Sequence, residues 1–130
     1  MTGVSVAAIL LVGSGGFIGS VLRYLLSGLV FRTFGKPWFP YGTLVVNVLG
    51  CFVIGYLGGL AEHRRIFNQE VRLFVFIGIL GGFTTFSAFA YETSTLLRDA
   101  RLLGAWVNVG LQLLLGLVAV WLGTILSRLT

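Results

Sequence analysis

Four stretches of this chain are free of charged side chains and long enough to cross a lipid bilayer. No other feature restricts its fold as strongly. Met1–Leu22 carries no charge, and its apolar pattern continues past Arg23 to Val30. Pro37–Ala61 is 25 residues long, Leu73–Tyr91 is 19 and Leu102–Ser127 is 26. At ~1.5 Å of rise per residue even the shortest reaches roughly 28 Å, against a hydrocarbon core of ~30 Å. The longer ones must tilt or project. The connections Phe31–Phe39, Glu62–Arg72 and Arg98–Arg101 are too short to hold a soluble domain. The expectation is one all-α integral membrane domain over 1–130, with spans near 4–30, 39–61, 72–96 and 102–127. A secretory signal peptide is the rival reading of the first span. It lacks a basic leading region and runs too long, so it is read as a retained helix.

Composition agrees. With 57% hydrophobic and 10% charged residues, and a mean hydropathy of +1.00, a soluble domain and a disordered chain are both excluded. One cysteine excludes a disulfide scaffold. The net charge of +5 comes from dispersed basic residues with no run longer than Arg64-Arg65. These read as anchors to membrane lipid rather than a nucleic-acid surface. Gly13, Gly15, Gly16 and Gly19 lack the preceding strand and the Lys-Ser/Thr of a phosphate loop. The pairs Gly15/Gly19, Gly55/Gly59 and Gly78/Gly82 have the spacing of four that lets helix backbones approach closely.

Four spans put the N-terminus, second loop and C-terminus on one side of the membrane. That side has four basic residues, Arg64, Arg65, Arg72 and Arg128; the other has five, Arg23, Arg32, Lys36, Arg98 and Arg101. Orientation follows an excess of Lys/Arg on the cytoplasmic side, and four against five provides almost none. Insertion both ways round is expected, with two copies free to pair antiparallel about a two-fold axis in the membrane plane.

Polar groups inside apolar spans are costly unless partnered, so they are functional candidates by default. Gly81-Gly82-Phe83-Thr84-Thr85-Phe86-Ser87 lies at the centre of the third span. Its paired glycines and β-branched threonines mark a helix break, tolerated at that depth only where something satisfies the freed carbonyls; a continuous helix with small packing residues is the alternative. Asn47, near the middle of the second span, either lines a path or bonds a neighbouring helix. Phe86 and Phe89 share a helix face and could turn electropositive ring edges to an anion, although packing is the commoner role. Asn108 and Gln112 lie one turn apart in the last span, as a polar track or as glue between helices. Glu92, just past the broken segment, sits closer to the surface than a proton-coupled carboxylate would. Cys51 reads as a small apolar filler. His63 has no second ligand near it. No Ser-His-Asp, Cys-His or paired-carboxylate constellation is present, so catalysis has no visible apparatus.

Three stretches together resemble the Fluc/CrcB fluoride channels: Gly15-Gly16-Phe17-Ile18-Gly19-Ser20-Val21-Leu22-Arg23-Tyr24, Pro40-Tyr41-Gly42-Thr43-Leu44-Val45-Val46-Asn47, and Gly78-Ile79-Leu80-Gly81-Gly82-Phe83-Thr84-Thr85-Phe86-Ser87-Ala88-Phe89. The resemblance covers essentially the whole chain, and the third motif is the specific one. It implies a dual-topology antiparallel homodimer in the cell inner membrane, with two fluoride pores. It also implies a structural sodium ion at the interface, held by the backbone carbonyls of Gly81 and Thr84 from each subunit. By position Phe86 and Phe89 match the family's pore phenylalanines, Asn47 its pore asparagine, and Thr43 and the polar positions of the fourth span its side-chain track. Glu92 lies at the track's far end, and Arg23 is the vestibule arginine. Gln112 stands where that span usually offers a serine. Donors such as Asn47, Thr43 and Ser87 would offset dehydration of fluoride without a fixed positive charge that traps it. A small four-helix proton-coupled multidrug exporter is the runner-up, disfavoured because the first span has no carboxylate. A non-transporting membrane subunit would explain the glycines but not the mid-span polar groups.

Overall fold

The computed structural model describes residues 3–35 and 38–130. Lys36 of the charge comparison, and Met1 and Pro37 that begin two of the charge-free stretches, lie outside the described residues. Four helical spans are long and apolar enough to cross a membrane, and no strand occurs among the described residues. Helix α1, Val6–Phe34, starts at Ser5, whose hydroxyl accepts the Ala8 amide at 3.1 Å, and stops at Gly35. The φ of 75° at Gly35 is one that glycine adopts without strain. Helix α2, Tyr41–Arg64, starts after Pro40 and ends at Arg65, which is left-handed with φ 50°.

The third span, Gln69–Arg98, is a composite. Asn68 caps a first turn, α3 (Gln69–Arg72), by accepting the Val71 amide at 2.9 Å. A π-helical segment, Leu73–Leu80, follows, then one turn, α4 (Gly81–Phe83). After two extended residues the chain resumes as α5, Phe86–Arg98. Helix α6, Leu102–Leu129, completes the fold.

Packing divides the molecule into two close pairs. Helix α1 runs against the π segment and α4, and α2 runs against α6. Small residues at the expected spacing make both contacts possible. A methyl on Gly15 would overlap the Phe74 carbonyl and Gly78, and one on Gly19 would overlap the Ile79 carbonyl. Gly82 lies equally close to Gly16. On the other pair, Gly55 faces the Val120 carbonyl and Gly123 the Phe52 carbonyl. Long apolar side chains such as Leu10, Phe17, Trp106 and Leu117 point outward, as suits a chain whose solvent is hydrocarbon. At one end Arg101 stacks over Trp38 at 5.0 Å, and the ring sits where a side chain on Gly104 would go. At the other end Arg64 bonds the Thr130 carbonyl.

The break is real but displaced from the glycine pair. Gly81 is helical, with φ −63° and ψ −38°, and the extended residues are Thr84 (φ −84°, ψ 156°) and Thr85 (φ −150°, ψ 113°). The physical reason is that Gly82 is needed inside a helix, where α1 approaches it, while β-branched threonine favours extended backbone.

Candidate functional site

Breaking a helix strands backbone groups, and the site is built from how this chain re-satisfies them. The Thr85 amide, which in a continuous helix would bond the Gly81 carbonyl, instead donates to Asn47 Oδ1 at 2.8 Å. Asn47 Nδ2 in turn donates to the Thr85 carbonyl at 3.0 Å. The side chain thus pairs with an extended residue as a neighbouring strand would. The second Nδ2 hydrogen goes to Gln112 Oε1 at 3.1 Å, so every hydrogen of the Asn47 amide is engaged. Thr85 then starts α5: its hydroxyl accepts the Ala88 amide at 3.2 Å, the amide that would otherwise reach the Thr84 carbonyl. Three elements, α2, the break and α6, meet at one amide.

Two cavities adjoin this clamp, and Thr85 lines both. The first, about 390 Å³, is bounded by Asn47, Cys51, Gly81, Thr84, Phe86, Phe89 and Gln112. The two rings lie edge to face, centroids 5.4 Å apart and planes at 63°. Gln112 Nε2 is buried with no protein partner. The second cavity, about 460 Å³, collects Arg23, Thr43 and Glu92 with Ser20, Ser27 and Tyr41. There Thr43 Oγ1 donates to Glu92 Oε1 at 2.8 Å, while Glu92 Oε2 is buried without a partner.

Seven of the expected site residues, Asn47, Phe86, Phe89, Thr43, Gln112, Glu92 and Arg23, are thus gathered around the break, with Gly81 and Thr84 on the wall of the first cavity. Two are not. Ser87 is exposed, 3.3 Å from the Thr85 hydroxyl, and lines neither cavity. Asn108 is completely buried, lines neither cavity and donates to Thr93 Oγ1 at 2.9 Å, which ties α6 to α5. The sequence marks Thr85 as one of the β-branched residues of the break, but not as the cap of α5 or the partner of Asn47; a threonine directly ahead of α5 is the one signal of a helix cap. Nothing in the sequence pairs Thr93 with Asn108.

A four-span helical membrane protein, its third span interrupted near the middle and clamped by an amide from the second, is a multi-pass protein of the channel and transporter kind. The chain belongs to the CrcB family: the family model described as CrcB-like protein, Camphor Resistance (CrcB), matches residues 10–124. It is similar to the Fluoride-specific ion channel FluC of Opitutus terrae, 51% identical over 118 residues covering 89% of each chain. It is 47% identical over 117 residues to Fluoride-specific ion channel FluC 1 of Methanosarcina acetivorans, covering 90% of this chain and 88% of the relative. With the Fluoride-specific ion channel FluC of Nitrosococcus oceani it shares 47% over 123 residues, 95% of both.

Proposed function

We propose that this protein is a fluoride channel of the plasma membrane that passively releases fluoride from the cytoplasm. What supports this most is the meeting of Phe86, Phe89, Asn47 and Gln112 at the break, in a chain matched over about nine-tenths of its length by relatives of that name. Fluoride is small and strongly hydrated, so it leaves water only for close donors and electropositive edges. Ring edges and side-chain amides supply those without a fixed cation that would hold the ion. Arg23 lines the second cavity together with Thr43 and Glu92, and its charge would draw the anion there. A membrane potential negative inside drives an anion outward with roughly 2.3 kcal/mol per charge per 100 mV. The protein transports and does not catalyse.

The working unit in this reading is an antiparallel homodimer. Gly81 lies on the outer face of the single chain, near the midpoint of the third span. A two-fold axis in the membrane plane brings such residues against their own copies. The carbonyls of Gly81 and Thr84 fit a sodium ion there, because the amides of Thr85 and Ala88 that would bond them in a continuous helix are directed to Asn47 and to the Thr85 hydroxyl. Four neutral oxygens suit a hard monovalent cation, which would supply charge compensation and hold the two breaks together.

The test is fluoride efflux from liposomes containing only this protein, with chloride efflux and proton-driven drug uptake as controls. Selective fluoride release is the expected result, and its absence overturns the reading. The exporter alternative has nothing in its favour, since no acidic residue precedes Glu62.

A further inference from the structure

We propose that Thr93 is a positioning residue: held by Asn108, it fixes helix α5 against α6 and with it the place of the Phe89 ring. The inference rests on the channel reading above, in which the ring borders the path of the ion.

Helix α5 needs such a hold. It carries Phe86 and Phe89, yet it buries one side chain, Leu96, and meets α2 and α6 far less extensively than those two meet each other. Directional polar ties do what packing does not. At its start the Thr85 amide and carbonyl are bound to Asn47 of α2. Further along, consecutive residues reach the two neighbouring helices. Glu92 accepts from Thr43 of α2 at 2.8 Å, and Thr93 accepts from Asn108 of α6 at 2.9 Å. Neighbours in a helix point about 100° apart, so this pair fixes the rotation of α5 as well as its tilt.

The two ties are not equivalent. Thr43 and Glu92 line the second cavity, where an anion in passage would compete for the Thr43 hydroxyl. Thr93 and Asn108 line neither cavity beside the clamp, and Asn108 has no exposed surface. That bond stays in place while an ion passes. It also leads to the ring. While accepting from Asn108, the Thr93 hydroxyl donates its one hydrogen to the Phe89 carbonyl at 2.8 Å. Such back-bonds bend a helix locally, and this one is anchored to α6. Phe89 lies four residues from Thr85 and four from Thr93, midway between the two holds, and it lines the first cavity with Phe86.

Two measurements test this. 4-Fluorophenylalanine at position 89 reports the ring by 19F NMR in micelles, and the same label at position 67, in the second loop, is the control. Thr93→Val keeps the shape of the side chain without the hydroxyl. It is expected to shift or broaden the signal at 89 and leave that at 67 unchanged, while Thr93→Ser returns the signal to its parent position. In liposomes the unlabelled Thr93→Val protein is expected to release fluoride about fivefold more slowly, the scale of one lost hydrogen bond, and Thr93→Ser to recover. The double variant Thr93→Val/Asn108→Leu separates positioning from mere stability. With both partners apolar no buried polar group is left unmet, so it should be at least as stable as Thr93→Val, yet conduct no better. A stable double variant that conducts like the parent overturns the proposal, and it decides the matter if the single variant fails to fold. A ring signal at 89 indifferent to Thr93→Val overturns this inference alone. A parent that releases no fluoride overturns the channel reading.

Discussion

At the scale of single residues, the two phenylalanines and the asparagine act by different physics, and their variants separate them. Phe86 is 77% exposed on the single chain and meets Phe89 edge to face, so a positive ring edge is available in the cavity that Gln112 also lines. Isoleucine keeps bulk and hydrophobicity but has no quadrupole. Phe86→Ile and Phe89→Ile are each expected to slow fluoride efflux by about tenfold, equivalent to ~1.4 kcal/mol, with unchanged elution of the purified protein. Normal flux in both would reduce the rings to packing. Asn47→Asp acts on the clamp. A carboxylate oxygen replaces Nδ2 and faces two acceptors, the Thr85 carbonyl and Gln112 Oε1. Each bond lost leaves a buried group unmet at ~1–3 kcal/mol. Loss of flux with faster hydrogen exchange around Thr85 is the expected outcome, and flux equal to the parent would show that the clamp is dispensable.

At the scale of elements, the third span is organised by one cap and a line of glycines. Thr85→Val keeps the β-branched shape that favours extended backbone but removes the hydroxyl that accepts the Ala88 amide. It should loosen the start of α5 by about 1 kcal/mol, the usual cost of losing a cap, visible as faster exchange at Ala88. Gly19→Ala would drive a methyl into the Ile79 carbonyl and should destabilise the α1 contact by about 1–3 kcal/mol, read by denaturant titration in micelles. Much of this was legible beforehand. Charge-free length located all four spans, and glycine spacing anticipated close backbone approach at Gly15, Gly19 and Gly55. The rest was hidden for physical reasons. Helices apolar all round carry no face that says which neighbour they meet, so the pairing of α1 with the third span and of α2 with α6 could not be read. The π turn over Leu73–Leu80 leaves no compositional mark, because it changes hydrogen-bond register and not polarity. The exchange of bonds between Asn47 and Thr85 joins residues 38 apart, and the tie between Asn108 and Thr93 runs between helices. Neither follows from local pattern.

At the scale of the whole molecule, the distribution of charge bears on the antiparallel homodimer proposed above. The side holding the second loop and C-terminus has Arg64, Arg65, Arg72 and Arg128; the opposite side has five basic residues, of which Lys36 lies outside the described set. Such a balance gives the insertion machinery little to act on. In the antiparallel reading proposed above, each chain would then enter in either direction and antiparallel partners would arise from one product. The idea can be tested by breaking the balance without touching the site. Glu62, His63 and Glu70 are exposed and flank the second loop, away from both cavities that adjoin the clamp. Changing all three to lysine raises that side from four basic residues to seven, enough to hold the loop in the cytoplasm. A reporter fused to the C-terminus should show both orientations in the parent and mainly the cytoplasmic one in the triple variant. If the conducting unit is antiparallel, fluoride efflux should fall with the minority orientation. It should return when the variant is co-expressed with an oppositely biased copy carrying added lysines in the first and third loops. A triple variant that inserts one way and still conducts alone would show that the pore does not need an inverted partner.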